Sequence, residues 1–251
     1  MLIPSEKPGQ LANRLVLLSH FMDSTKLRRQ IFMFLFTKIS RFMRKSHLSA
    51  LPFAKNIYLK NDDERFLMND PQNLALLTSK KLFFLSGWLF RTEGIVEKHR
   101  DFITNYFEPL EIHRNSAENV IASLKNKFKT IVGIHIRRGD YRNFLNGKYF
   151  YELETYKNVI KNIAKFFGND STAFVVCSNE NIDLDFFNGM NVFKGPGHFV
   201  ADLHALSLCD YIAGPPSTFS MWASFYGQKP LWQIKNVKQN PTVESFKTTE
   251  I

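Results

Sequence analysis

Cysteine is scarce in this chain of 251 residues: only Cys177 and Cys209 occur, and neither has a paired or histidine-flanked spacing. That excludes a disulfide-stapled scaffold and a thiolate zinc site, and leaves both as small buried hydrophobes of a reducing compartment. Long apolar runs are also missing, since nothing approaches the ~20 consecutive apolar residues that a membrane-spanning helix needs. Residues 1–20 lack the basic start, apolar stretch and small-residue cleavage site of a secretory leader, so the expectation is a cytoplasmic chain. Internal repeats, low-complexity tracts, zinc-finger spacings and RNA-recognition signatures are absent as well.

What is present points to a folded α/β protein. With 44% hydrophobic and 22% charged residues, the chain can bury a full core and divide into one large or two small domains. Its 25 Phe residues read mostly as core. The formal charge of +10 suits nucleic acid, an anionic membrane or phosphorylated small molecules. One basic cluster lies within residues 26–45 and the remaining charge is interspersed with acids, which disfavours nucleic acid as partner. That cluster holds seven Lys or Arg and no acid, with Ile31, Leu35, Ile39 and Phe42 on one helical face. Such a helix either covers a sheet or lies in a membrane interface as a peripheral contact.

From about residue 115 onward, strand-length apolar runs alternate with amphipathic segments, the pattern of a parallel sheet with covering helices. The pattern predicts strands at Thr130–Ile136, Thr172–Ser178, Asn191–Lys194, Asp210–Gly214 and Pro230–Ile234. Helices are predicted at Asn115–Phe128, Tyr149–Phe167, Phe199–Leu208 and Phe219–Tyr226. Ligands of such sheets sit outside the carboxyl ends of the strands, which directs attention to Arg137–Asp140, Ser178–Glu180, Gly195–His198 and Pro215–Ser220. The first ~110 residues are less periodic. A short apolar start leads into a turn at Gly9–Asn13 and a helix from Leu15 to about Met22; Asn56–Leu59 and Lys81–Ser86 read as strands. The expected division is a smaller α/β domain over residues 1–112 and a nucleotide-binding domain over 113–251, with a polar tail from Lys235 that frays or drapes over the surface.

Two segments carry chemistry. In His135-Ile136-Arg137-Arg138-Gly139-Asp140 an apolar strand runs into two arginines, and buried arginines need anionic partners. A diphosphate supplies them through forked, charge-assisted hydrogen bonds, with Asp140 holding one guanidinium in place; the alternative is an exposed turn in which an arginine merely pairs with Asp140. The second segment sets Asp202 in the first turn of a helix and ends a strand in Gly214-Pro215-Pro216-Ser217-Thr218-Phe219-Ser220. Its hydroxyls and free N–H groups either cradle phosphate or simply cap the helix.

Together these segments resemble a known family. The 135–140 run is similar to the His-x-Arg-Arg-x-Asp motif of the α-1,2-, α-1,6- and protein O-fucosyltransferase superfamily. Ser217, Thr218, Phe219 and Ser220 with Trp222 and Ala223 resemble the Ser-x-Phe-Ser-x-Trp-Ala region of bacterial α-1,2 enzymes. Gly9, Gln10, Leu11, Ala12 and Asn13 resemble their amino-terminal Gly-x-x-Gly-Asn turn. Two positions depart from the family pattern: Ala12 replaces the second glycine, and Met221 stands where an aromatic is usual.

The resemblance implies a GT-B-like arrangement of two Rossmann-type domains with a donor cleft between them. It also implies inverting transfer of fucose from GDP-fucose to a glycan acceptor, with no metal and no further cofactor. By motif position, Arg137 and Asn13 act at the reacting centre. His135, Arg138, Asp140, Asp202, Ser217, Thr218, Phe219, Ser220 and Gly9 belong to the donor site, with Asp202 accepting from the guanine edge; the catalytic base is unassigned. Transfer of another GDP-sugar, or a non-catalytic nucleotide- or glycan-binding module of the same fold, stands as the alternative.

Overall fold

The computed structural model describes residues 2–4, 11–23, 54–58, 65–78, 82–86, 89–94, 96–249 and 251. Gly9 and the basic stretch 26–45 lie outside the described residues. The chain divides into two compact units, Met1–Phe107 and Glu108–Ile251.

In the first unit, β1 (Leu2–Pro4), β2 (Ala54–Tyr58) and β4 (Leu82–Ser86) form a parallel sheet in the order β1-β4-β2, while β3 (Phe66–Leu67) and β5 (Phe90–Arg91) form a separate parallel pair. Helix α1 (Leu11–Asp23) buries Ala12, Val16, Leu17 and Ser19. It also carries His20, whose Nδ1 accepts the Thr92 amide at 3.0 Å. Helices α2 (Pro71–Thr78) and α3 (Arg100–Tyr106) also lie among the described residues of this unit. The expected turn through Asn13 is corrected at its end: Leu11, Ala12 and Asn13 are already helical, as suits the strong helix formers Leu and Ala.

The second unit follows its sequence pattern closely. In chain order it holds α4 (Glu111–Lys125), β6 (Thr130–Ile136), α5 (Leu153–Phe167), β7 (Thr172–Ser178), β8 (Val192–Lys194), α6 (Phe199–Leu208), β9 (Tyr211–Gly214), α7 (Thr218–Gly227) and β10 (Leu231–Gln233). All five strands are parallel, in the order β10-β9-β6-β7-β8. Counted from β6, that is the 3-2-1-4-5 order of doubly wound sheets, whose direction of winding reverses between the first and fourth strands. Here the reversal falls between β6 and β9.

Strand periodicity sorts β6 between two layers. Val132, Ile134 and Ile136 join Tyr156, Val159, Ile160 and Ile163 of α5 in one core. On the opposite face Gly133 lies against Leu206 and Cys209, which places the α6 side there. Both β6 and β7 are almost wholly buried, as expected of strands covered on both faces. The tail does not fray: Leu231 and Lys247 exchange backbone hydrogen bonds at 2.9 and 3.1 Å, and Phe246 is buried in the α5 core, where an aromatic ring outweighs its polar neighbours.

Gly214, the last residue of β9, sets the spacing at the reversal. A Cβ there would lie 2.7 Å from the His135 carbonyl oxygen and 2.9 Å from the His135 Cβ. Gly214→Ala is expected to force the ends of β6 and β9 apart and to cost roughly 1–3 kcal/mol; an unchanged urea midpoint would show that the strand ends give way freely.

Candidate functional site

The alternation that sorts β6 continues past its end and separates the two arginines. Arg137 follows the parity of His135 and Arg138 that of Ile136. Arg137 is 9% exposed. Its Nη2 donates to Asp140 Oδ2 at 2.8 Å, its guanidinium lies over the Tyr141 ring at 5.6 Å, and its backbone N–H reaches the Tyr156 hydroxyl at 3.4 Å. Its Nε is buried with no hydrogen-bond partner among the described residues. A buried guanidinium edge without an acceptor is costly and calls for an explanation.

Arg138 is treated differently. Its Nη2 donates to Glu152 Oε2 at 2.9 Å, and its Nε lies 3.9 Å from Glu180 Oε2, an ion-pair distance that leaves this Nε, like that of Arg137, without a hydrogen-bond partner among the described residues. The Phe150 ring is flanked by Arg138 at 5.3 Å and Arg142 at 4.4 Å. The expectation of two arginines side by side on one anion therefore gives way to divergent side chains, one of which already has two carboxylates.

The serine turn adjoins Arg137. The Tyr141 hydroxyl donates to the Pro216 carbonyl at 2.7 Å, and the Phe219 ring lies 4.9 Å from the His135 imidazole. Ser217 Oγ accepts the Phe219 N–H at 3.2 Å, which is the helix-cap alternative realised. Ser220 departs from expectation: it is fully buried, and its hydroxyl donates to the Ser217 carbonyl at 3.1 Å, so the inward face of α7 takes it away from solvent. Thr218 and Phe219 are half-buried.

His135 is 2% exposed, and its Nδ1 has no partner among the described residues. Burial, aided by the nearby Arg137 charge, lowers its pKa from 6.5 to about 3, so the ring is neutral near pH 7.

A cavity of about 300 Å³ opens beyond β7 and β8, lined among others by Ser178, Asn179, Glu180, Lys194 and Asp202. Its lining does not include Arg137 or the serine turn, so the two features are neighbouring stations on one sheet edge. Asp202 is 5% exposed, and its Oδ1 accepts the Gly197 N–H at 2.7 Å. Burial raises its pKa, opposed by that hydrogen bond and by Lys194. Asp183-Leu184-Asp185 has an alternating-carboxylate spacing that can serve a hard cation, but Asp183 Oδ1 accepts the Asp185 N–H at 3.0 Å as a local cap. Among the described residues no group of three or more His, Cys, Asp or Glu could hold a metal ion.

The fold thus brings His135, Arg137, Asp140, Ser217 and Phe219 together. Asp202 lies at the adjacent cavity, and Asn13 is half-buried in the first turn of α1 in the other unit. Glu180 and Asn179 fall in a strand-end segment that the sequence pattern marks. Glu152 and Tyr156 carry no such mark, because only the packing of α5 brings them to Arg138 and Arg137.

Among solved structures, the fold resembles POFUT1 in complex with GDP (TM-score 0.51, 11% identity, 91% of this chain and 94% of that one). POFUT1 in complex with GDP-fucose gives 0.52, with 12% identity over 91% and 93% of the two chains. A variant of Arabidopsis thaliana FUT1 in complex with GDP gives 0.52, with 12% identity over 98% and 73%. These likenesses are of fold. No curated protein matches the sequence. Residues 9–247 match the family described as glycosyl transferase family 11, a span that takes in the arginine turn, the cavity and the serine turn alike, and the chain belongs to that family.

Proposed function

We propose that this protein transfers fucose from GDP-fucose to a glycan acceptor, with inversion at the sugar carbon and without a divalent metal. The observation that carries the reading is the Arg137 guanidinium, buried, oriented by Asp140 and with an Nε that has no hydrogen-bond partner among the described residues, beside the serine turn. Family membership supplies the reaction class, and the GDP and GDP-fucose held by proteins of like fold supply the donor.

Glycosyl transfer builds negative charge on the departing β-phosphate. A fixed cation at that point stabilises the transition state more than the ground state, a task a metal ion performs elsewhere. Arg137 suits it because its orientation is set before the ligand arrives, and each charge-assisted bond is worth about 1.5–3 kcal/mol. Asp202 in the cavity beyond β7 and β8 receives the guanine edge, whose ring and amino N–H groups need an acceptor. The diphosphate then runs toward Arg137 and the amino end of α7, where the helix dipole adds favourable potential. The reading also gives Asn13 of the first unit a role at the reacting centre. As part of the same proposal we place the chain in the cytoplasm.

Calorimetry with GDP, UDP and ADP, with and without EDTA, tests base and metal together. GDP should bind at least about tenfold more tightly than the others, and EDTA should change nothing. Equal affinity for UDP would overturn the base assignment, and GDP binding without any turnover of GDP-fucose would leave a non-catalytic module.

Arg137→Lys keeps the charge but loses the planar fork and Nε, so the transfer rate should fall at least about tenfold; kinetics like those of the unsubstituted protein would remove Arg137 from the mechanism.

Acid should also weaken the fold through His135. Its pKa is about 3 when folded against 6.5 otherwise, so between those values the unfolded chain binds a proton that the folded chain refuses. The stabilisation is complete above pH 6.5 and is lost as pH falls toward 3. His135→Gln should flatten the dependence of unfolding free energy on pH in that window, measured by urea titration at a series of pH values.

A further inference from the structure

The loop after β7 faces two ways: one side lines the cavity, and the other is bolted to the arginine turn. Three contacts make the bolt. The Arg138 N–H donates to Asn179 Oδ1 at 3.3 Å, the Gly139 N–H donates to Glu180 Oε1 at 3.0 Å, and Glu180 Oε2 lies 3.9 Å from Arg138 Nε. Glu180 is itself anchored, its N–H donating to Ser178 Oγ at 3.1 Å. The Asn179 side chain lies so close to Gly139 that a Cβ there would come within 2.6 Å of Asn179 Nδ2.

The anchored amide sits at the middle of the turn that matters. Arg137 and Asp140, joined at 2.8 Å, lie on either side of Arg138 and Gly139, so the path of the chain between them decides whether Asp140 reaches Arg137. At Arg138 the chain leaves strand geometry, with φ −118° and ψ −82°, and the two amides at and after that bend have lost their ladder partners. Backbone N–H groups so placed need acceptors, and Asn179 and Glu180 are the acceptors.

We propose that Glu180 is a positioning residue: by accepting the Gly139 N–H it fixes the 137–140 turn, and through Asp140 it fixes the direction of the Arg137 guanidinium. This rests on the reading of Arg137 as the group that meets the departing phosphate. The part of Glu180 that matters is an oxygen acceptor at the right reach. The Arg138 guanidinium keeps its closer partner Glu152 at 2.9 Å when Glu180 is changed.

The test compares Glu180→Ala with Glu180→Gln, whose amide oxygen can still accept from Gly139. Two measurements are made: turnover of GDP-fucose, and hydrogen exchange at the Gly139 amide by NMR without ligand. Glu180→Ala should lower kcat at least about tenfold, with the donor KM within about threefold. It should also speed Gly139 exchange at least about tenfold, through loss of its acceptor. Glu180→Gln should restore both to within about threefold of the unsubstituted protein. Equal loss in both variants with a raised donor KM would mean that the charged carboxylate touches the ligand directly, and the positioning role would fall. Unchanged Gly139 exchange in Glu180→Ala would also overturn it. A protein with no turnover in any form, yet with Gly139 exchange that follows the variants, would retain the clamp and refute the donor reading.

Discussion

The buried guanidinium of Arg137 is the constraint around which the carboxyl edge of this sheet is organised. A cation placed at 9% exposure persists only if the surroundings supply counter-charge and hydrogen bonds. Asp140 supplies one edge, the Tyr141 ring faces it, and Tyr156 receives the backbone N–H. The hydroxyl of the same Tyr141 ties the turn to Pro216 at 2.7 Å, so the support of the arginine and the placement of the serine turn are one structure.

Strand order explains why this happens between β6 and β9. At that gap the crossovers run in opposite directions, so no connection covers the ends of both strands. The segments that follow the two strands meet there through the Tyr141–Pro216 hydrogen bond. Gly214 lets the strand ends approach, and the uncharged His135 imidazole fills the space beside Phe219. A charged imidazole there would stand against Arg137, and burial together with that arginine keeps the ring neutral.

Much of this was legible in the sequence. The continuous apolar runs of β6 and β7 mark strands buried on both faces, and the structure begins and ends both where the runs do. The strand-end rule then directed attention to Arg137, Glu180 and Ser217 without any tertiary information, while Asp202 was marked by its place in the first turn of a helix and by the family resemblance. The helix starts were less readable: α4 begins at Glu111 and α5 at Leu153, because neither carries a side-chain cap to announce it. The partners of Arg138 were hidden for a different reason. Glu152 belongs to the approach of α5 and Glu180 to a loop 41 residues beyond Gly139, and such pairings are set by packing, which one sequence does not encode in its spacing. Ser220 reads as a turn hydroxyl, yet helical phase turns it into the core.

The contrast between the two arginines shows how adjacent like charges become tolerable and why only one is poised for a ligand. Past the end of β6 their side chains diverge, and each meets its own counter-charge. Arg138 has Glu152 at its Nη2 and Glu180 3.9 Å from its Nε, and lies over Phe150. Arg137 has one carboxylate within ion-pair distance among the described residues, half-exposed. The Nε of each is buried with no hydrogen-bond partner among the described residues, so the difference lies in the number of carboxylates. A cation already set between two of them gains less from a new anion than a buried one that has only one. The free energy of meeting a phosphate is therefore concentrated at Arg137, and the carboxylates around Arg138 serve that end by keeping the second guanidinium from competing for the same anion.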